Sequence, residues 1–213
     1  MTEAAKARTR LILVTPAVDD AVAFAPKIEQ ACRAGDVAAV ILKLTTTDDG
    51  AALSAIRIVS SHIEPFGAAL ILDNRPALVG ATGADGAHFS NLESLQSERA
   101  KLATGRLCGV GGLVTRHDAM VAAESGIDYV MFGEPGEDGK RPGFAAVVER
   151  VAWWAEIFQL PCIAFAGELD EVAKLSAANA DFVALGDALW NTSDNAATFV
   201  TKATEKLKLQ KVA

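Results

Sequence analysis

Polar and glycine residues follow short apolar runs at eight places in this chain of 213 residues. Lysines can supply positive charge, carboxylates can hold a hard cation such as Mg²⁺, and glycines let backbone amides approach phosphate oxygens. This mixture is typical of a site for a phosphorylated ligand. The candidates are Thr15, Lys43 to Thr47, Asp73-Asn74-Arg75, Ser90 to Glu93, Gly111-Gly112, Gly133-Glu134, Gly167-Glu168 and Gly186-Asp187.

The apolar runs themselves predict eight strands. Most of them lack strict alternation, as expected of parallel strands that are buried on both faces. We predict strands at Leu11–Val14, Ala38–Lys43, Ala68–Leu72, Gly86–Phe89, Leu107–Val110, Tyr129–Phe132, Cys162–Ala166 and Phe182–Leu185.

The segments between the runs have helical spacing, clearest in Asp170 to Ala178 and Ala196 to Leu207. Regular alternation of strand and helix predicts a parallel sheet with right-handed crossovers, and eight such units in this length favour closure. The expected fold is an α/β, single-domain (β/α)8 TIM barrel over residues 1–213, with flexible ends at about 1–9 and 208–213. A further apolar stripe runs through Val147, Val151, Trp154 and Phe158.

Three stretches of the chain resemble one another, beginning at Gly83, Gly126 and Asn179. In each, a helix ends at Gly or Asn, where a left-handed cap costs little, and an Asp precedes the next strand. We expect these aspartates to bond backbone amides at the strand starts, which is the stability face of a barrel. They are Asp85, Asp128 and Asp181.

Composition excludes several classes of protein. The formal charge is −7 and there is no basic cluster, which argues against nucleic-acid binding. No apolar run approaches the ~20 residues of a membrane span, and Met1 to Arg10 is too polar for a signal peptide, so we expect a cytoplasmic protein. The three cysteines are an odd number without a CxxC pair, and we expect buried, reduced thiols.

Several motifs together resemble a known family. Gly83-Ala84-Asp85-Gly86-Ala87-His88-Phe89 is similar to Gly-Ala-Asp-Gly-Val-His-Leu of thiamine phosphate synthase and its thiazole tautomerase relatives. Asp128 to Gly133 resembles the sixth strand of that family, and Leu160 to Gly167 resembles the seventh. The resemblance spans about Leu11 to Leu189. It implies that a pyrimidine pyrophosphate and a thiazole phosphate are joined to thiamine phosphate and pyrophosphate, with assistance from Mg²⁺.

The resemblance also implies roles for individual residues. The Gln-x-Arg-x-Lys of the second strand aligns with Ile41, Lys43 and Thr45, so one cation is kept as lysine. On this alignment Lys43, Asp73 and Lys140 are catalytic, and Asn74 and Glu93 hold the metal, unless Asp73 replaces Asn74. The substrate-binding residues implied by the same alignment are Thr45, Arg75, Gly111, Gly112, Gly133, Glu134, Gly167, Gly186 and Asp187.

Departures from the motifs keep other functions open. Gly111-Gly112-Leu113 stands where the family has Ser-Thr-His, and Asp187 stands where it has a phosphate-binding Ser. A second hypothesis is therefore a barrel that has lost the reaction and binds a thiamine precursor, regulates a partner, or acts on a less phosphorylated substrate. Thiazole tautomerase is a third, weakened by Leu113. The expected partner is a small phosphorylated molecule, and a homo-oligomer is possible.

Overall fold

The computed structural model describes residues 8–136, 138–191 and 195–209. Within them, eight parallel strands form a closed barrel in sequential order. Pairing of β1 with β8, from Arg10↔Phe182 to Leu13↔Leu185, closes it and confirms the predicted fold. The strands are β1 Arg10–Val18, β2 Val37–Leu44, β3 Ala69–Asp73, β4 Gly86–Phe89, β5 Leu107–Val110, β6 Tyr129–Phe132, β7 Cys162–Ala166 and β8 Phe182–Leu185.

Helices follow the strands and cover the barrel from outside. The short extra helix α8 comes directly after β8, and single 3₁₀ turns lie at Glu64–Phe66 and Arg99–Lys101. The helices are α1 Ala21–Arg33, α2 Asp49–Ile63, α3 Pro76–Thr82, α4 Leu92–Glu98, α5 Arg116–Glu124, α6 Phe144–Ile157, α7 Glu171–Ala177, α8 Asp187–Trp190 and α9 Ala196–Leu209.

Strand β1 continues four residues beyond its predicted end at Val14. The register of β1 against β2 shifts between Val14 and Ala17, so the chain bulges around Pro16 before pairing resumes at Ala17↔Lys43. Proline has no N–H for the ladder and is accommodated at such bulges. The extension brings Thr15 over β2, where its hydroxyl accepts a hydrogen bond from the Lys43 N–H at 2.9 Å.

The apolar core has two parts. The barrel interior is filled by side chains from alternate positions along the strands. They include Ile12, Ile41, Ile71, Ile163 and Phe165. A larger cluster lies between the strands and the helices. A cavity of about 290 Å³ opens at the N-terminal end of the interior, lined by alanines at the starts of β2 and β3 together with the isoleucines.

The three repeated aspartates stabilise the N-terminal face of the barrel. The carboxylate of Asp85 accepts a hydrogen bond from the Leu70 N–H at 2.8 Å, and the Asp85 N–H donates to the Leu70 carbonyl. Asp128 forms the same pair of bonds with Cys108, and Asp181 forms it with Cys162. Each aspartate therefore joins the start of an even-numbered strand to the strand before it, as a structural residue. The preceding Gly83, Gly126 and Asn179 have positive φ, as expected of left-handed helix caps.

Helix α6 ends one residue before the end of its apolar stripe. Trp154 is fully buried and its Nε1 donates to the Leu160 carbonyl at 2.8 Å, whereas Trp153 is half-buried. Phe158 is the extended C-cap, and its ring stacks on Trp154 with centroids 4.1 Å apart. The stripe is therefore completed by a capping residue.

Most of the expected flexible ends, residues 1–7 and 210–213, lie outside the described residues. Thr9 is held by a hydrogen bond to the Ala180 carbonyl at 3.0 Å, and α9 continues to Leu209. All three cysteines are buried and none of them forms a disulfide, as expected. No helix in the described part of the chain is long and apolar enough to cross a bilayer.

Candidate active site

Lys43 and Asp73 are the last inward-facing residues of β2 and β3. They follow Ile41 and Ile71 of the barrel interior by two positions, so their side chains point the same way. The Oδ1 atom of Asp73 is buried and has no hydrogen-bond partner among the residues that the structure describes. Burial raises the pKa of Asp73 above its ordinary value, while the nearby positive charge of Lys43 opposes that shift. The pair places a cation and an unsatisfied carboxylate oxygen at the C-terminal mouth of the barrel.

The residues after Asp73 turn away from the barrel axis. Asn74 has φ 48°, a left-handed conformation that asparagine tolerates. Its Nδ2 donates to the Ser90 hydroxyl at 2.9 Å, and its Oδ1 accepts from the Ser90 N–H at 3.1 Å. Arg75 donates to the Thr46 carbonyl and lies 3.7 Å from the carboxylate of Asp49. Both residues therefore tie neighbouring loops together.

A buried chain of three polar side chains crosses the upper part of the barrel. His88 of β4 is fully buried; its Nδ1 lies 3.1 Å from the Tyr129 hydroxyl and its Nε2 lies 3.1 Å from Glu134 Oε2. A neutral imidazole that donates from Nε2 to the carboxylate can accept the Tyr129 O–H at Nδ1, which satisfies all three groups. Burial raises the pKa of Tyr129 well above its ordinary value, and the charge of Glu134 adds to that shift.

Two glycines, one in β5 and one directly after it, make room for these three side chains. A Cβ at Gly109 would overlap the ring of Tyr129, and a Cβ at Gly111 would overlap the carboxylate of Glu134. The space beside Gly109 is thus filled by Tyr129 of β6, and the space beside Gly111 is filled by Glu134. The same pattern recurs at Gly186, where a Cβ would overlap the ring of Phe165.

Arg141 occupies the space over Gly167 at the end of β7. Its guanidinium would overlap a Cβ there, and it donates to the carbonyls of Gly133 at 3.3 Å and Phe165 at 3.1 Å. It also pairs with the Glu171 carboxylate at 3.0 Å, and Glu171 accepts the Gly167 N–H at 2.6 Å. Barrels often bind phosphate with the loops after strands 7 and 8. In this protein the Glu171 carboxylate accepts the hydrogen bond of the Gly167 amide in that region.

The other predicted site residues lie around the same mouth, with different surroundings. Thr45 is exposed, and its hydroxyl bonds Val18 and Asp19 at the end of β1. Lys140 is exposed and pairs with Asp138 at 3.3 Å. Glu93 and Asp187 are exposed residues in the first turns of α4 and α8.

Gly112 has φ +60°, and the Ser90 carbonyl stands where its Cβ would be, so only glycine fits. Gly133 also has positive φ. A cavity of about 390 Å³ opens between the loops after β5 and β6, and Gly112, Gly133, Glu134, Lys140 and Arg141 line it.

Three side chains of the site were not among the predicted residues: His88, Tyr129 and Arg141. His88 and Tyr129 lie inside strands, and a polar residue at an inward position of an apolar run is the signal that could have found them. Arg141 stands directly after Lys140 and carries the same charge, so the sequence alone does not distinguish the role of Arg141 from that of Lys140.

A magnesium site was predicted at Asn74 and Glu93. Among residues 8–136, 138–191 and 195–209, no three His, Cys, Asp or Glu side chains come together as a metal centre would require. The buried, unpartnered Oδ1 of Asp73 is nevertheless available to a cation. Mg²⁺ is commonly held by one or two carboxylates together with substrate phosphates. The donor set therefore fits an ion that binds with a phosphorylated ligand, with Asp73 as its protein ligand.

Comparison with known proteins decides the family. The family model for thiamine monophosphate synthase matches residues 11–189. The chain belongs to the thiamine monophosphate synthase family. A thiamine-phosphate synthase from Rhodospirillum centenum is 39% identical over 185 residues, covering 85% of this chain and 89% of that protein. A thiamine-phosphate synthase from Hyphomonas neptunium is 32% identical, with 91% of each chain covered.

Solved structures agree in fold. Thiamine phosphate pyrophosphorylase from Pyrococcus furiosus superimposes with a TM-score of 0.75 at 14% identity, covering 94% of this chain and 96% of that one. Membership of the thiamine monophosphate synthase family confirms the resemblance identified from the motifs of β4, β6 and β7.

Proposed function

We propose that the protein condenses a pyrimidine pyrophosphate with a thiazole phosphate to give thiamine phosphate and pyrophosphate. The observation that carries the proposal is that Lys43 and Asp73 stand side by side at the ends of the paired strands β2 and β3. The Oδ1 of Asp73 has no partner there among the described residues. It is supported by the 39% identity to a thiamine-phosphate synthase along most of the chain. The ligand would be a small phosphorylated molecule.

Each residue of this site has a defined task in the proposed reaction. Lys43, with Lys140 from the loop after β6, supplies positive charge to the pyrophosphate as it leaves. Asp73 would hold Mg²⁺, which would neutralise charge on the departing pyrophosphate. The glycine-rich strand ends position the substrates, and Arg75 holds the loop after β2 beside them. The protein thus contributes orientation and charge without a covalent intermediate.

The experiment is a turnover assay with the purified chain. With Mg²⁺, the pyrimidine pyrophosphate and the thiazole phosphate, we expect release of pyrophosphate together with thiamine phosphate, both measured by chromatography. A thiamine-phosphate synthase assayed in parallel is the positive control. If that enzyme turns over and this chain releases no pyrophosphate, the proposed activity is wrong.

A second candidate is favoured by the contact between Glu171 and the Gly167 amide. A phosphate that approached this amide would meet a carboxylate already bound to it, and Asp187 adds negative charge at the start of α8. This suits a protein that binds a thiamine precursor without turnover or takes a less phosphorylated substrate. Such a protein should show a saturable thermal shift with the pyrimidine pyrophosphate but form no thiamine phosphate.

A further inference from the structure

The carboxylate of Glu134 lies inside the mouth of the barrel, and its position is built by several residues. The residue is 7% exposed, its Oε2 faces His88 Nε2, and the absent side chain of Gly111 leaves the space that it occupies. Tyr129 fixes the imidazole from the other side at 3.1 Å. Glu134 also lines the cavity between the loops after β5 and β6. The carboxylate is thus oriented before any ligand binds.

Stability alone does not account for this carboxylate. Burying a charge carries a large desolvation cost unless an opposite charge compensates it. In the described part of the chain, Glu134 pairs with His88 and with no Lys or Arg. An apolar side chain of similar volume would fill the space over Gly111 without that cost. A negative charge retained at the mouth of a site is suited to a ligand that carries or develops positive charge.

From this geometry we infer that Glu134 is a catalytic residue that stabilises positive charge on the pyrimidine as pyrophosphate leaves. The inference rests on the proposed function. The bond between the methylene carbon and the pyrophosphate oxygen breaks, and its electron pair leaves with pyrophosphate. The positive charge then spreads from the methylene carbon into the ring. The lone pair of the thiazole nitrogen forms the new C–N bond, and no proton is transferred. The positive charge ends on the thiazolium ring.

His88 acts through Glu134 and is a positioning residue. Its Nε2 holds one carboxylate oxygen, while no hydrogen bond within the described residues occupies the other, Oε1, which remains available to a ligand. A fixed carboxylate in a site that excludes water interacts with developing charge far more strongly than one in solvent. Glu134 thus supplies the negative charge, and His88 and Tyr129 orient its carboxylate.

The decisive variant is Glu134→Gln, which keeps the shape and the acceptor for His88 but removes the charge. We expect kcat to fall about 100-fold, the scale of losing one preorganised electrostatic group, with the KM of each substrate changed less than about threefold. Pyrophosphate release from the pyrimidine pyrophosphate alone should fall by the same factor. The matched control is Glu149→Gln, an exposed residue of α6, which should leave both rates unchanged.

A binding measurement separates this inference from the proposed function. By calorimetry, Glu134→Gln should weaken binding of thiamine phosphate, which carries the thiazolium cation, by about tenfold. Binding of the neutral pyrimidine alcohol should change less than about twofold. If the wild type releases no pyrophosphate, the proposed function fails, while this loss of cation preference still supports a charge-binding Glu134. If E134Q binds both ligands as the wild type does, or keeps its kcat, the inference is overturned.

Discussion

One oxygen of the Asp73 carboxylate is buried without a partner, and this disfavours the charged form. The pKa of Asp73 is therefore higher in the folded protein than in the unfolded chain. A group whose pKa is raised on folding contributes stability that is fully present below its pKa in the unfolded chain. This contribution is lost as pH rises through its pKa in the folded protein. The residue thus lowers stability at neutral pH relative to acid.

Asp73→Asn should remove this penalty. We expect its melting temperature, measured with EDTA present, to exceed that of the wild type at pH 7. The difference should shrink as pH falls toward about 4, near the ordinary pKa of an aspartate. Activity should be lost. Glu124→Gln, at an exposed position of α5, is the control and should alter neither property. A pH-independent difference would contradict the explanation.

The two predicted catalytic lysines should differ in effect. Lys43 is partly buried and close enough to Asp73 to lower the pKa of that residue, whereas Lys140 is 83% exposed. We expect Lys43→Ala to reduce kcat/KM about 100-fold and Lys140→Ala only about tenfold, because solvent and salt screen an exposed charge. Steady-state kinetics at about 0.03 M and about 0.5 M salt check this, because the Debye length is about fourfold shorter at the higher concentration. The loss of kcat/KM caused by Lys140→Ala should shrink with added salt more than the loss caused by Lys43→Ala. Lys101→Ala serves as the control.

At the scale of elements, Arg141 holds the loop after β6 against β7. Its side chain joins Gly133, Phe165 and Glu171, three points on different segments. Arg141 therefore fixes the end of this loop to β7. Losing the guanidinium would leave a partly buried carboxylate and two carbonyls without their donor.

Arg141→Ala should therefore destabilise the protein by about 1–3 kcal/mol, the usual cost of unsatisfied polar groups. Cleavage by trypsin after Lys140 should become faster. Arg141→Lys should recover only part of the loss, because lysine lacks the planar fork. Chemical unfolding and limited proteolysis measure these effects, and Arg116→Ala, which breaks an exposed ion pair, should change neither. Unchanged proteolysis in R141A would rule out the role in holding the loop.

The strands were predictable from sequence because their residues obey a rule that acts locally. Four apolar residues in a row between turn signals, as at Tyr129–Phe132, fit a strand buried on both faces. The bulge at Pro16 was missed, because it depends on pairing with β2. The contacts of Glu134 with Gly111, and of Arg141 with Gly167, join residues on separate strands. Spacing within a single chain does not specify such contacts, so the site was predicted only as a set of strand ends.

The whole molecule separates stability from function along the barrel axis. Asp85, Asp128 and Asp181 stabilise the N-terminal face, and the candidate site residues Lys43 and Asp73 lie at the opposite end. The cavity of about 290 Å³ belongs to the N-terminal end and has almost entirely apolar walls. Filling it should change stability and leave the site unchanged.

Ala69→Val places two more carbon atoms in this cavity. We expect a gain of about 1 kcal/mol in the free energy of unfolding, with kcat unchanged. Ala164→Val makes the same change at a fully buried position in the packed layer between strands and helices. Overpacking there should cost about 1–3 kcal/mol. Denaturant unfolding compares the two, and equal effects would show that the cavity has no room for the added atoms.

The pairing of glycines with side chains from other strands has an evolutionary consequence. A serine at position 111, the residue implied by the family motif, would collide with the Glu134 carboxylate, and any side chain at 167 would collide with Arg141. Each pair is therefore epistatic. A side chain at 111 requires the Glu134 carboxylate to move away from His88, or a smaller residue at 134 that leaves an empty space beside His88. Introducing the family motif at this end of the barrel one residue at a time therefore passes through a less stable protein.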